Sequence, residues 1–245
     1  MLEQVLKTQN YFQFAGKKST DFGMRILIDR AFPIPEQDVE RIETPGISGD
    51  NFIDNDRYKN ITMDYPVNIY SYNGLTIYEI YAEIAKWIRF KRGYNKLIDT
   101  VDNRYYRLAR CFNMTEIQNV NNSFGRTTIS FDCKPFKYSI TGSQVFNIAK
   151  DGRLNNVEIF PSNPVITIFG NGDIDFFVND YKVILKGIQG EITLDTGLQI
   201  AYKAGTLLNN KVNTYPFPQL DVGENRFTWT GNVTKVEVTP NWRTI

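Results

Sequence analysis

The chain has 245 residues, 42% hydrophobic and 14% aromatic, with a formal net charge of +1, which excludes a disordered polymer. Net charges of +2 over residues 1–140 and −1 over 141–245 exclude the clustered basic excess of a free-standing nucleic-acid binder. Histidine is absent, which removes Ser-His-Asp and Cys-His catalysis and His-ligated zinc together, so an enzyme here would work with carboxylates alone.

The opening MLEQVLKTQN lacks a basic segment followed by an apolar run, and no stretch reaches the roughly 18 apolar residues of a bilayer span. Synthesis in a cytoplasm without membrane insertion is the expectation. Residues 1–75 then hold short β-rich runs, YFQFAG, GMRILIDRAF, VERIETPG and NITMDYPVNIYS, each bounded by Gly, Pro, Asn or Asp. Between the third and fourth, ISGDNFIDNDRY carries Asp50, Asp54 and Asp56 and reads as a hairpin tip or long loop, either a solvated turn or a contact surface.

The spacing predicts a helix over residues 76–93, with Ile77, Ile80, Tyr81, Ile84, Trp87 and Ile88 forming a core-facing stripe and Gly93 stopping it. Lys86, Arg89, Lys91 and Arg92 crowd its end. They either complement the helix dipole or face phosphate or an acidic partner. Strands resume in NKLIDTV, RYYRLARCFN, TEIQNVNN and GRTTISFDCKPF, giving an antiparallel sheet packed on one helix. A change of rhythm places a boundary near residue 141. Beyond it, turn signals at PSNP, FGNGD and KGIQGE separate many brief strands, and Asn179-Asp180 fits a two-residue hairpin turn. The fold class is mainly β, a β-rich α+β chain: an N-terminal antiparallel domain with one amphipathic helix over residues 1–140, and a β-sandwich over 141–245.

Candidate chemistry is sparse. Asp173 and Asp175 would share a strand face and could pose as a glycosidase pair, but they follow a Gly-Asn-Gly turn in which Asp is common. Trp229 and Trp242, with Tyr202, Tyr215 and Phe217, offer either a sugar-stacking platform or ordinary core. Cys111 and Cys133 lie in alternating segments and read as reduced thiols, with a disulfide as the alternative. No catalytic, metal or cofactor site is expected, and the chain is not read as an enzyme.

FxGxxSxDFGMRIL (Phe14 to Leu27) followed by the acidic strand DVERIETPG (Asp38 to Gly46) resembles the start of siphophage distal tail (Dit) proteins of phages infecting Gram-positive bacteria. NPVITIFGNGDIDFFVNDYKVILKGIQGEITLDTGLQIAY (Asn163 to Tyr202) is similar to the family's C-terminal domain. One departure is PGISGD, where the family often has PGRNG. The resemblance implies that residues 1–140 close into a hexameric ring of identical subunits and that 141–245 form a galectin-like β-sandwich pointing outward. It implies a structural hub at the phage tail tip or baseplate, assembled in the host cytoplasm. The hub joins the tail tube protein to a tail-associated fibre or hub protein and leaves a channel through which DNA passes; receptor-binding proteins are a further partner, and no membrane is involved. Asp21, Phe22, Gly23, Arg25, Pro45, Gly46, Asp50, Asp54 and Asp56 then belong to subunit or partner interfaces, and Lys86, Arg89, Lys91 and Arg92 to a channel or partner-facing surface. A carbohydrate-binding module of a phage adhesion device is the alternative. Tight saccharide binding is not expected, because galectin-type sites lean on His and Arg and residues 141–245 offer only Arg153, Arg226 and Arg243.

Overall fold

Alternation in ITMDYPVNIY and GRTTISFDC puts one face of each segment into a core, and the computed structural model realises both as long strands. It describes residues 10–27, 31–46, 48–90, 92–114 and 118–245. The reading of the first residues as lacking a leader, and those parts of the predicted runs that include 28–30, Ile47 and 115–117, lie outside the described residues. The chain divides into two compact units, Met1–Lys137 with Ile245, and Tyr138–Thr244.

The first unit contains β1 (Phe12–Phe14), β2 (Lys17–Lys18), β3 (Met24–Ile26), β4 (Gln37–Ile42), β5 (Asn51–Tyr58), β6 (Ile61–Tyr70), helix α1 (Ile77–Phe90), β7 (Asn95–Asp99), β8 (Tyr105–Met114), β9 (Gln118–Asn121) and β10 (Phe124–Ser139). Its main sheet runs β2-β1-β7-β8-β10-β6-β3, with β9 on β10, while β4 and β5 form a separate two-stranded sheet. Period-2 burial puts Met63, Tyr65, Val67 and Ile69 of β6 beside Ile129, Phe131 and Cys133 of β10 on the core face. Ile77, Ile80, Ile84, Trp87 and Ile88 of α1 belong to the same core. Tyr81 departs from the predicted stripe. It is 41% exposed, because at 100° per residue it falls at the edge of the arc centred on Ile80 and Ile84. Thr76 and Glu79 cap the helix reciprocally, Thr76 N–H donating to Glu79 Oε2 at 2.8 Å and Glu79 N–H to Thr76 Oγ1 at 3.4 Å. The Thr76 N–H, together with the Thr76 hydroxyl donating to the same Oε2 at 2.9 Å, holds the Glu79 carboxyl below its ordinary range.

Both cysteines are free thiols. Burial pushes the Cys133 thiol up to about 12, since a thiolate there would be stripped of water. Labelling native protein with a thiolate-selective reagent at pH 8 is therefore expected to modify at most one group per chain, Cys111, whereas denatured, unreduced protein yields two. Two rapidly labelled thiols in the native state would contradict this burial.

The second unit holds β11 (Phe146–Ile148), β12 (Arg153–Asn156), β13 (Val165–Val178), β14 (Tyr181–Asp195), β15 (Ile200–Lys203), β16 (Thr206–Leu207), β17 (Gly223–Thr239) and β18 (Arg243–Thr244). Its sheet runs β11-β17-β13-β14-β15-β16, and β12 also pairs with β17. Asn179-Asp180 makes the predicted hairpin turn, with Val178 opposite Tyr181 and Asn179 at φ +53°. Brief strands are present as expected, β11, β12, β15, β16 and β18, but the unit is built on three long ones of 14, 15 and 17 residues. The Gly-Asn-Gly and Lys-Gly-Ile-Gln-Gly stretches are bends inside β13 and β14 rather than turns between strands. At the matching bend of β17, Gly231 sits at φ +94°, and a Cβ there would lie 2.5 Å from the Asp173 carbonyl oxygen. The register shifts across this zone, so the early half of β17 pairs with β12 and its late half with β11. The curled sheet thereby encloses a single core, in which Ile166 and Ile168 from one end of β13 join Phe176 and Val178 from the other.

Candidate assembly interface

The Ser19-Thr-Asp-Phe22 segment is a 3₁₀ turn that reverses the chain between β2 and β3. Asp21 is exposed and its Oδ2 accepts the Lys18 N–H at 2.9 Å, so it stabilises the turn it belongs to. Phe22, expected at an interface, is 5% exposed and stacks on Trp87 with centroids 4.5 Å apart, within the core of its own unit. Gly23 closes the turn at φ +66° with Tyr70 N–H donating to its carbonyl at 3.0 Å, and a Cβ here would sit 2.3 Å from the Tyr70 oxygen. Arg25, on β3, holds its guanidinium 4.8 Å over the Tyr70 ring.

Pro45 and Gly46 lie at the exposed tip between β4 and β5. The stretch read as a hairpin tip or long loop belongs to a hairpin, most of it strand, since Asn51–Tyr58 pairs with β4 (Val39 opposite Asp54, Arg41 opposite Phe52). Asp50 pairs with Arg41 at 3.2 Å, and Asp54 Oδ1 accepts the Asp56 N–H at 2.9 Å where Asp56 takes φ +50°. At the hairpin base Asp38 takes both Arg57, at 2.5 Å, and Lys59, at 3.7 Å. The cations of these bridges are exposed to solvent, so each bridge contributes little. Val39, Ile42, Phe52 and Ile53 are all exposed, Phe52 at 60%. An isolated two-stranded sheet is marginal in water, and this one leaves apolar side chains uncovered within its own unit.

Of the four predicted cations at the end of α1, Lys86 is paired with Glu83 at 3.0 Å, Arg89 and Arg92 are exposed, and Lys91 lies outside the described residues. A pocket of ≈ 380 Å³ that the sequence did not announce opens between Phe32, Ile34, Tyr65, Leu97, Tyr106 and Arg107. Arg107 donates to the Pro135 carbonyl at 2.7 Å, and burial lowers its pKa.

Residues 17–133 match the family model of the phage tail protein RIFT-related domain. The likeness to a phage tail domain thus covers most of the N-terminal unit. No curated protein matches the chain by sequence. Among solved structures, the chain is similar to the Dit protein (gp 19.1) of phage SPP1, described as a paradigm of the hub adsorption apparatus in Gram-positive infecting phages. The TM-score is 0.67 at 13% identity over 96% of this chain and 99% of that one. It is similar also to a chain of the phage P2 baseplate in its activated conformation with Ca, TM-score 0.54 at 11% identity over 94% and 96%, and to one of the p2 baseplate with Sr, TM-score 0.54 at 12% identity over the same shares. At these identities the likeness is one of fold, and it spans both units.

Outside the matched residues, the alternatives for chemistry lose their geometry. Asp173 pairs with Lys186 at 2.8 Å and accepts the Gly187 N–H at 2.9 Å, which holds its carboxyl below the usual range; a glycosidase acid needs the opposite shift. Asp175 pairs with Lys182 at 2.8 Å. Trp229, Trp242 and Phe217 are buried and Tyr202 half-buried, so of the aromatic platform only Tyr215, at 48%, stands clear. Among the described residues, no group of three or more His, Cys, Asp and Glu side chains is placed to hold a metal, and no helix is long and apolar enough to cross a membrane.

Proposed function

We propose that this chain is a distal tail protein, six copies of which close through residues 1–140 into a ring at the tail tip or baseplate. The ring joins the tail tube protein to the tail-associated fibre or hub protein and leaves a channel for DNA, while 141–245, galectin-like, project outward towards receptor-binding proteins. The hub assembles in the host cytoplasm and works in the virion. One observation carries this reading: the β4–β5 hairpin leaves Phe52, Ile53 and Val39 exposed, and a neighbouring subunit would cover them. A ring needs such a heterologous contact, in which one face of each copy meets a different face of the next. Exposed Asp21, Pro45, Gly46, Asp50, Asp54 and Asp56 would lie at subunit contacts, while Phe22 and Gly23 would act only by shaping the turn beside them.

The test is removal of the arm. With residues 39–56 replaced by Asn-Gly, the chain is expected to stay folded by far-UV circular dichroism yet to form no ring, either in concentrated solution by mass photometry or in tail tips by electron microscopy. A six-fold ring that persists without the hairpin would overturn the role given to it. Saccharide binding by the second unit has little to rest on, because its tryptophans are committed to packing.

A further inference from the structure

Arg25 of β3 stands opposite Asn68 of β6, and Asn68 stands opposite Arg126 of β10, so the three share the sheet face turned away from α1. One step along, Tyr70 is opposite Phe124, with ring centroids 5.2 Å apart. Arg25 lies over the first ring at 4.8 Å and Arg126 over the second at 5.3 Å. The two guanidinium groups are thus propped on a shared aromatic pair, two strand spacings or about 10 Å apart at the backbone. Among the described residues neither has a carboxylate partner, and the buried Oδ1 of the Asn68 between them accepts no hydrogen bond. Stacking restricts the side chains in advance and leaves their N–H edges available for carboxylates.

Matching charge exists elsewhere in the same chain. Residues 36–59 carry seven carboxylates against three cations. Asp38 and Asp50 take up those cations, which leaves Glu40, Glu43 and Asp54 of the hairpin without one among the described residues. We infer that the acidic β4–β5 hairpin of one copy docks on the Arg25–Arg126 patch of the next copy. This rests on the ring reading and adds to it which surface receives the arm and by what chemistry. Nucleic acid fits the patch less well. Further along the same face come Asp64, bonded to Ser130, and Asp132, bonded to Arg110, so the cations do not continue into a track for a phosphate backbone.

The test uses charge reversal in the full chain, read by sedimentation velocity over a concentration series. R25E/R126E and E40K/E43K/D54K are each expected to weaken self-association at least tenfold, R25K/R126K to do so only mildly, and circular dichroism to stay unchanged because every altered side chain is partly or fully exposed. An equimolar mixture of the two reversed variants is expected to recover wild-type association. Alternating around an even-membered ring, each acidic hairpin then meets an arginine patch and each lysine hairpin a glutamate patch. Undiminished association of the single variants, or failure of the mixture to recover, would overturn the contact while leaving the ring standing. A wild-type chain that is monomeric at every concentration counts against both ring and contact. Loss of duplex-DNA binding in R25E/R126E with association intact would assign the patch to nucleic acid instead.

Discussion

Trp87→Ala is expected to destabilise the N-terminal unit by about 5 kcal/mol, drawn from the roughly 3–5 kcal/mol of a large aromatic truncation and the added cost of an orphaned acceptor. Trp87 is 5% exposed, stacks on Phe22 at 4.5 Å and on Phe12 at 5.8 Å, and meets Phe14 edge-on at 6.3 Å. Its Nε1–H donates to the Phe14 carbonyl at 2.9 Å. The indole therefore ties α1 to β1 and to the Ser19–Phe22 turn at once, and alanine leaves both a cavity and an unpaired carbonyl. Trp87→Phe keeps most of the ring area and loses the donor, so about 1–2 kcal/mol is expected.

The chain's tryptophans make the readout specific. With Trp87 gone the remaining two, Trp229 and Trp242, both lie in the unit Tyr138–Thr244. In urea, far-UV circular dichroism of Trp87→Ala should show an early transition, while tryptophan emission keeps its wild-type midpoint. A loss below about 2 kcal/mol would refute the packing account, using the lower end of large-to-small costs. Coincident shifts in both signals would instead mean that the two units unfold as one.

What the sequence made legible depended on whether a residue's neighbours leave a periodic trace. The helix was readable because Ile77, Ile80, Ile84, Trp87 and Ile88 recur on one face, and β6 because alternate residues from Ile61 to Ile69 are buried. β5 gave no such trace: Asn51 to Arg57 are all exposed, so the strand exists for its pairing with β4 and has no buried face to impose a period. The glycine stretches of β13 and β14 were misread for a different reason. A mid-strand bend and a turn both need glycine, and only the partner strand's position distinguishes them. Trp229 illustrates the same limit, since nothing local separates a stacking platform from its actual place beside Phe176 at 6.3 Å. Of the candidate interface, the acidic hairpin and Arg25 were visible as residue types. Arg126 left no such sign, because its alignment with Arg25 runs through Asn68, across three strands far apart in sequence.

Gly23 is the position where the smallest change is expected to have the next largest effect. Gly23→Ala should cost about 3–4 kcal/mol, of which roughly 1–2 is the left-handed backbone penalty for a residue with a Cβ. The rest comes from the Tyr70 carbonyl oxygen, 2.3 Å from where that Cβ would lie, a distance that only movement of backbone can relieve. Movement there is expensive. Tyr70 N–H donates to the Gly23 carbonyl at 3.0 Å, Gly23 N–H to Thr20 at 3.2 Å, and β3 pairs with β6 from Met24 to Ile26, so the clash pries an edge strand off the sheet together with the turn that seats Phe22. Gly46→Ala provides the calibration. Gly46 has φ +80° with open space around its Cβ position, so it carries the backbone penalty alone, about 1 kcal/mol. Chemical unfolding of both variants separates the two contributions. Equal losses would mean the close approach of Gly23 to Tyr70 adds nothing, whereas a Gly23 loss at least twice that of Gly46 would show that the close approach to Tyr70, and not backbone preference alone, requires glycine in this turn. Because Arg25 follows two residues later, the same variant should also weaken the self-association proposed above.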